Sequence, residues 1–351
     1  MATSGTVSKT VFNTNSILDT AFRRCKVAPE TVTSEMQDTA LNSLYLLISS
    51  LCNTGIQLWT IEKIILPFYL NNGYVPMPSG TIDLLNSNYR WVTRYSFTAT
   101  ASEGIADYSE DNDLSTACTQ TTPNGYIIQN LGSAQTVTTL GVNMLTGGTY
   151  DLVISYSNDN TNWTQVLAPG SVTYGDGEWN WYDINPAIAA QYWKLEETGG
   201  AALNVAEFYV AGNPTEIPFA RLNQDDYTNL PNKTFQGRPL QFWLDRQLDA
   251  PIARLWPVPN QQSIFAQFVT WRQRHIMDVG TLTQTIELPQ RWVDAITWEL
   301  AHRLCYEIKD VDIGMADRLA PIAAQQMAAA FSEERDNSPF MMAPNISMYT
   351  R

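Results

Sequence analysis

The loop Asp111-Asn112-Asp113-Leu114-Ser115-Thr116 puts hard oxygen donors on a tight turn. That donor chemistry suits Ca2+, and the competing reading is a solvated acidic turn without metal. Trp179, Trp181 and Tyr182 are a second candidate. Strand alternation places the two tryptophans on one side, where indole faces could stack on the C–H face of a sugar. Packing in a core, or burial against another protein, would explain them equally. Glu299 and His302 stand at i and i+3 on a helical pattern, a spacing that could orient a general base. No second histidine falls at metalloprotease spacing, so a surface or inter-helix contact is the simpler account. Cys118 has no histidine within residues 96–212 to activate it and is read as packed. The chain contains no Gly-x-Ser-x-Gly elbow, Walker loop or dinucleotide fingerprint. Four cysteines without C-x-x-C spacing and two histidines make a zinc site unexpected and fit a reducing compartment.

The elements that would position these groups fall into two kinds. The chain has 351 residues and a net charge of −14. From Ser96 to Gly212 there are 13 acidic residues and one base, Lys194, a net of −12; the rest of the chain carries −2. Such a step in composition marks a domain boundary, and an acidic surface repels nucleic acid phosphates. This segment shows short strand-like runs at 126–130, 138–144, 150–155, 192–197 and 206–210 between Gly, Asn, Asp and Ser turns, the pattern of an antiparallel β-sandwich.

The flanking sequence is helical at both ends. Asn15-Ser16 is placed to cap a helix running to about Val27, and Ser34 and Gln37 have capping-box spacing before a second, ending near Gly55. Strands are expected at 61–69, 81–92, 240–244, 253–256 and 266–272. Pro289 then opens a helix whose Val293, Ile296, Leu300, Leu304 and Ile308 share one face, with a second stripe of Trp298, Ala301 and Cys305. A last helix, about 315–334, has a small face of Ala320, Ala323, Ala324 and Ala328. The expected fold is α+β: a helical bundle with a small β-sheet and hairpin region, interrupted by an antiparallel sandwich. Its parts are a discontinuous domain 1–95 with 213–335, an insert 96–212, and an extended tail 336–351. Phe340, Met341, Met342 and Tyr349 in that tail are expected to dock on a partner or neighbouring subunit. Arg221, Lys233, Arg238, Arg246, Arg254, Arg272 and Arg274 make the late region basic, for inter-subunit ion pairs rather than for DNA. No apolar stretch reaches the ~18 residues of a membrane span, and residues 1–10 lack the apolar core of a signal peptide. A soluble chain with no membrane partner is expected.

Two resemblances follow. The helical hairpin, Asp226-Tyr227, Leu230-Pro231-Asn232-Lys233, Gly237-Arg238-Pro239, residues 241–246 (QFWLDR), 255–259 (LWPVP), 287–295 (ELPQRWVDA) and 300–304 (LAHRL) together resemble head-to-tail adaptor proteins of short-tailed bacteriophages. Residues 111–116 (DNDLST), 127–132 (IIQNLG), 156–163 (YSNDNTNW), 191–195 (QYWKL) and 206–212 (AEFYVAG) resemble a discoidin-like, galactose-binding-like β-sandwich. That second resemblance implies a jelly roll in which Glu207 closes a Ca2+ site with Asp111 and Thr116, with no other cofactor. The first implies a non-enzymatic virion protein at the head–tail junction, assembled in the host cytoplasm. It implies a ring, of twelve copies, between a portal protein and a lower tail (nozzle) protein, with DNA only as cargo through the lumen. The insert would project outward to decorate the collar or contact a tail fibre. The alternative is a carbohydrate-binding virion protein acting through the insert.

Overall fold

The computed structural model describes residues 12–53, 58–248, 250–277, 280–309, 311–312 and 314–334. The chain divides into two compact units, residues 1–61 with 274–351, and residues 62–273. The expected tail contacts Phe340, Met341, Met342 and Tyr349 lie outside the described residues.

The first unit is helical. Its first helix, Thr14–Arg24, is capped by Asn13, whose side chain accepts the Ser16 N–H at 2.9 Å. The expected Asn15-Ser16 cap is therefore displaced. Asn13 is extended, and the N–H and hydroxyl of Thr14 both reach the Gln284 carbonyl at 2.9 Å, so the helix starts where tertiary bonds pin it. The helix Ser34–Leu51 likewise starts one residue early, with Thr33 accepting from Met36 N–H. Gln290–Glu307 follows Pro289 as expected. Of the expected face, Ile296, Leu300, Leu304 and, just past the helix end, Ile308 share a buried core with Ile17, Phe22, Leu44 and Leu47, while Val293 is only partly buried. In the last helix, Gly314–Glu333, the packed face is Met315, Ala316, Leu319, Ala323 and Ala330. Ala324 and Ala328 face solvent, because the larger Leu319 and Met315 claim the core and rotate the alanine stripe outward.

The second unit is built on one ten-stranded sheet. Eight of its strands run in the order Ile61–Pro67, Gln267–Arg274, Thr81–Arg94, Asn204–Pro218, Tyr126–Met144, Trp179–Glu197, Gly148–Ser157 and Thr164–Tyr174. Off this path, Thr98–Ala101 pairs with Tyr126–Met144 and Cys118–Thr119 with Asn204–Pro218. Several runs that the sequence splits are continuous: Tyr126–Met144 and Trp179–Glu197 are 19 residues each and pair antiparallel along most of their length. Register shifts between Asn130 and Gln135, and between Val137 and Thr139, bend this pair. The bent sheet encloses an apolar core that includes Ile127, Val137, Leu140, Trp193, Leu195, Phe208 and Val210.

At its C-terminal end the acidic segment has no linker to the rest of the unit. The strand Asn204–Pro218 leaves the sandwich and continues past residue 212, pairing Glu216 with Arg90 and Ile217 with Tyr89. The expected boundary at 212/213 thus falls inside a strand, and the one at 95/96 falls just after Thr81–Arg94. A four-stranded sheet that includes Gln241–Asp245 and Ile252–Trp256, and an aromatic core of Phe68, Tyr89, Phe242 and Phe268, complete this unit.

In the helical unit the thiols of Cys25 and Cys305 are buried 3.8 Å apart, and Cys25 S–H donates to the Ala301 carbonyl. Burial raises both thiols, and that of Cys118 in the sandwich. Iodoacetamide at pH 8 is expected to label half-buried Cys52 on the order of tenfold faster than the other three, with the difference vanishing in denaturant. Peptide mass spectrometry reads this directly, and rapid native labelling of Cys25 would contradict the packing described.

Candidate functional site

The loop 105–116 is held in place by a residue the sequence reading passed over. Arg94, at the end of Thr81–Arg94, sends its guanidinium under the loop and donates to Asn112 Oδ1 at 2.9 Å and to the Ser109 carbonyl at 3.0 Å. It also donates to the Phe208 carbonyl at 3.3 Å and lies over the Tyr209 ring, 4.7 Å from its centroid. The Glu207 carboxylate is 2.7 Å from the same guanidinium, and its side chain has 0% exposure. The pair is a buried ion pair, and the Asn112 backbone N–H also approaches the carboxylate. Burial, with a smaller push from Asp111, raises the Glu207 carboxyl to about 7 although Arg94 pulls it down.

This arrangement does not fit the expected Ca2+ site of Asp111, Thr116 and Glu207. Thr116 Oγ1 donates to Asp111 Oδ2 at 2.8 Å, closing the turn on itself, while Glu207 faces Arg94. The positive charge among these oxygens is a guanidinium, and a divalent cation there would meet it head on. Among the described residues there is no group of three or more His, Cys, Asp or Glu that could hold a metal. Arg94 was missed because nothing local marks it: its partners lie 15 to 114 residues away.

Trp179 and Trp181 share one side of their strand, as alternation requires, and stack at 4.5 Å. They are only 4% and 7% exposed, packed edge-on against Tyr209 in a cluster with Val92 and Ala211. Their faces are thus unavailable to a sugar. Tyr182 points the other way, and its hydroxyl meets that of Tyr174 at 2.8 Å against the sandwich core. The trio is core, split between two faces of one strand.

What the loop does present is a cleft. Asp113, Leu114 and Ser115 form one wall, Gly177 and the rim of Trp179 another, and Phe68, Tyr69, Leu70, Gln261 and Ile264 the rest, around about 390 Å3. Asp113 accepts from Ser115 N–H and Oγ, which fixes this wall. Tyr69 donates to Glu178 at 3.4 Å, and burial plus that carboxylate push its phenol up to about 12, so it stays a neutral donor. The lining is an apolar floor with a few hydroxyl, amide and carboxylate groups at its edge.

The other expected groups do not converge. Glu299 lies 3.9 Å from His302 Nδ1 but hydrogen-bonds Arg303, and the His302 ring packs on Tyr306. Most of the late basic residues are paired within the chain rather than left for a neighbour: Arg221 and Arg246 with Asp83, Arg254 with Asp245, Arg272 with Glu62 and Arg274 with Glu287. Lys233 donates to the carbonyls of Thr228 and Leu230.

Replacing Arg94 by Ala strands a buried carboxylate and is expected to cost about 3 kcal/mol of stability in chemical denaturation. Millimolar Ca2+ should restore part of the loss in the variant, where the guanidinium no longer competes, and leave the wild type unchanged. The raised Glu207 carboxyl has its own signature. A folded-state value of about 7 against an ordinary 4.5 means a contribution fully present below 4.5 and lost as pH rises through 7. The melting temperature should therefore fall from pH 5 to pH 8 in the wild type, and fall less in Glu207→Gln.

No protein-family model matches the sequence, and no curated protein matches it. Among solved structures, the chitosan-binding module 1 from a chitosanase/glucanase of Paenibacillus sp. IK-5 is 30% identical, covering 34% of this chain and 99% of its own, with a TM-score of 0.30. The CBM32 of AlyQ, in complex with 4,5-unsaturated mannuronic acid, is 22% identical over 34% of this chain and 97% of its own, with a TM-score of 0.30. CpGH89CBM32-5 from Clostridium perfringens, in complex with GalNAc-β-1,3-galactose, is 18% identical over 33% and 94%, with a TM-score of 0.29. Each likeness spans about a third of this chain and nearly all of the carbohydrate-binding module compared.

Proposed function

We propose that this chain is a non-catalytic carbohydrate-binding protein that takes a sugar unit in the cleft between loop Asp111–Thr116, Gly177 and Tyr69. One observation carries the reading: a cleft of about 390 Å3 with an apolar floor and a sparse polar edge of Tyr69, Asp113, Ser115 and Gln261. A pyranose has that polarity, apolar C–H faces ringed by hydroxyls, and the volume lies in the range of small-ligand sites. We read the use as non-catalytic because the acids at the cleft are already engaged: Asp113 accepts from Ser115, and Glu178 accepts from Tyr69. Screening the full chain on a glycan array and titrating the retained sugars by calorimetry tests the reading. Tyr69→Ala and Gln261→Ala should each weaken binding about tenfold, the loss of a buried polar contact, with unchanged melting temperature. A chain that retains no saccharide, or variants that bind as the wild type does, would reject it.

A second reading concerns the helical unit. Tyr45 and Leu46 on Ser34–Leu51, Tyr306 on Gln290–Glu307 and Ile322 on Gly314–Glu333 are all exposed, Leu46 and Tyr306 by about 60%. Large apolar side chains left in water on several helices favour assembly with other subunits. We propose on that ground a structural role of the adaptor type, a homo-oligomeric ring between portal and tail of a virion, with the carbohydrate site carried on the same chain. Native mass spectrometry with the cognate portal ring should show about one copy per portal subunit, and a chain that ignores the portal at every concentration would remove this reading.

A further inference from the structure

The late basic region holds one guanidinium that the chain itself leaves unused. Arg238 makes no hydrogen bond and no ion pair among the described residues; its one close electrostatic contact is the Tyr89 ring, 5.9 Å from the centroid. It lines a second cavity of about 350 Å3, apart from the cleft at Tyr69 and sharing no residue with it. Trp91, Thr215, Asn260 and Gln262 line the same cavity.

Each of these groups is free to meet a ligand. Trp91 sits between Arg90 and Val92, which are buried, and so projects from the other side of Thr81–Arg94; it is 43% exposed. Thr215 is directly opposite it across the strand pair, and its hydroxyl makes no hydrogen bond among the described residues. Asn260 spends its Oδ1 on Ser263, accepting from the N–H at 3.1 Å and from Oγ at 2.8 Å, which aims a fixed amide with its NH2 unspent. The Gln262 side-chain amide likewise makes no hydrogen bond among the described residues, and it lines the cavity. In a chain of net charge −14 this cavity is lined by one cation and no carboxylate.

We infer that this cavity binds a pyranose carrying a carboxylate, a uronic acid unit of an acidic polysaccharide. The half-exposed indole offers a face for the sugar C–H bonds, and the guanidinium fork matches a carboxylate bidentately. Thr215, Asn260 and Gln262 supply the donors and acceptors that ring hydroxyls need. A single positive charge balances one carboxylate, whereas a phosphate dianion would remain half-compensated in a strongly acidic protein. The Arg238 cavity shares no lining residue with the cleft at Tyr69, although segment 260–264 contributes to both, and the inference does not rest on that cleft being occupied.

Calorimetric titration of the full chain with a panel of trisaccharides decides the matter: galacturonate, glucuronate and mannuronate trimers, their neutral hexose counterparts, sodium acetate and inorganic phosphate. At least one uronate trimer should bind at least tenfold tighter than its neutral counterpart and than either simple anion, and weaken as salt is raised. Arg238→Gln should erase the preference for the charged trimer, and Trp91→Ala should weaken the trimer about tenfold. Tyr69→Ala should leave uronate binding as in the wild type, which separates the two sites. Both surface variants should keep the wild-type melting temperature. No uronate preferred over its neutral counterpart, a preference that survives Arg238→Gln, a preference lost in Tyr69→Ala, or phosphate binding as tightly as the sugar would each overturn the inference.

Discussion

The architecture of the β unit depends on one strand being covered on both faces. Along Asn204–Pro218, residues Phe208 and Val210 point into the sandwich core, while Glu207, Tyr209 and Ala211 point the other way into the tryptophan cluster. Residues 205–212 are all buried as a result. A strand in this position cannot slip by one residue without exchanging its two apolar sets and driving Glu207 into the sandwich core. It fixes the register of Tyr126–Met144 on one edge and of Thr81–Arg94 on the other. The acidic sandwich is for this reason continuous with its surroundings and not a bead on a string.

Charge follows the same geometry. Arg90 and Arg94 lie on the buried side of Thr81–Arg94, at either end of Val92 and the tryptophan cluster. Arg90 meets Asp183 at 2.6 Å and Glu216 at 2.6 Å, and Arg94 meets Glu207. Two bases that precede the acidic segment therefore neutralise carboxylates within it. Burying such pairs is not in itself a large gain, because desolvation offsets the attraction, but removing one member strands its partner. Their role is positional: Arg94 fixes the loop whose outer wall makes the cleft.

How much of this was legible in the sequence depends on the range of the interaction concerned. The helix faces were, because a 3.6-residue repeat is local: Ile296, Leu300 and Leu304 are buried as the spacing requires. The alanine face was not, since the choice between Ala324 and Leu319 is made by the helix it packs on. The sandwich was legible as alternating strands, but its long bent pair was broken into pieces wherever a bulge interrupts the period. At the site, the loop Asp111–Thr116 was found and its partner mistaken. A turn of oxygen donors reads the same whether a metal or a guanidinium answers it, and Arg94 lies 17 residues before the loop opens. The basic residues were equally ambiguous, since Asp83 and Glu62, which pair with Arg221, Arg246 and Arg272, are distant in sequence from those partners.

The tryptophans show where residue type stops being informative. Trp179, Trp181 and Trp91 all lie on strands of one sheet, and in sequence the first two look the better platform because they are paired and aromatic-flanked. The sheet reverses that order. Its side facing the cluster is closed by Tyr209, Phe265 and Val92, so aromatic pairing there is a sign of burial. On its other side Trp91 stands opposite Thr215, a small polar residue that cannot cover an indole. Exposure of an aromatic on a sheet is thus set by the cross-strand partner and the covering layer, neither of which is a neighbour in sequence. A lone tryptophan beside an unpaired arginine is a stronger pointer to a ligand than a stacked pair, because the pair already has its partner.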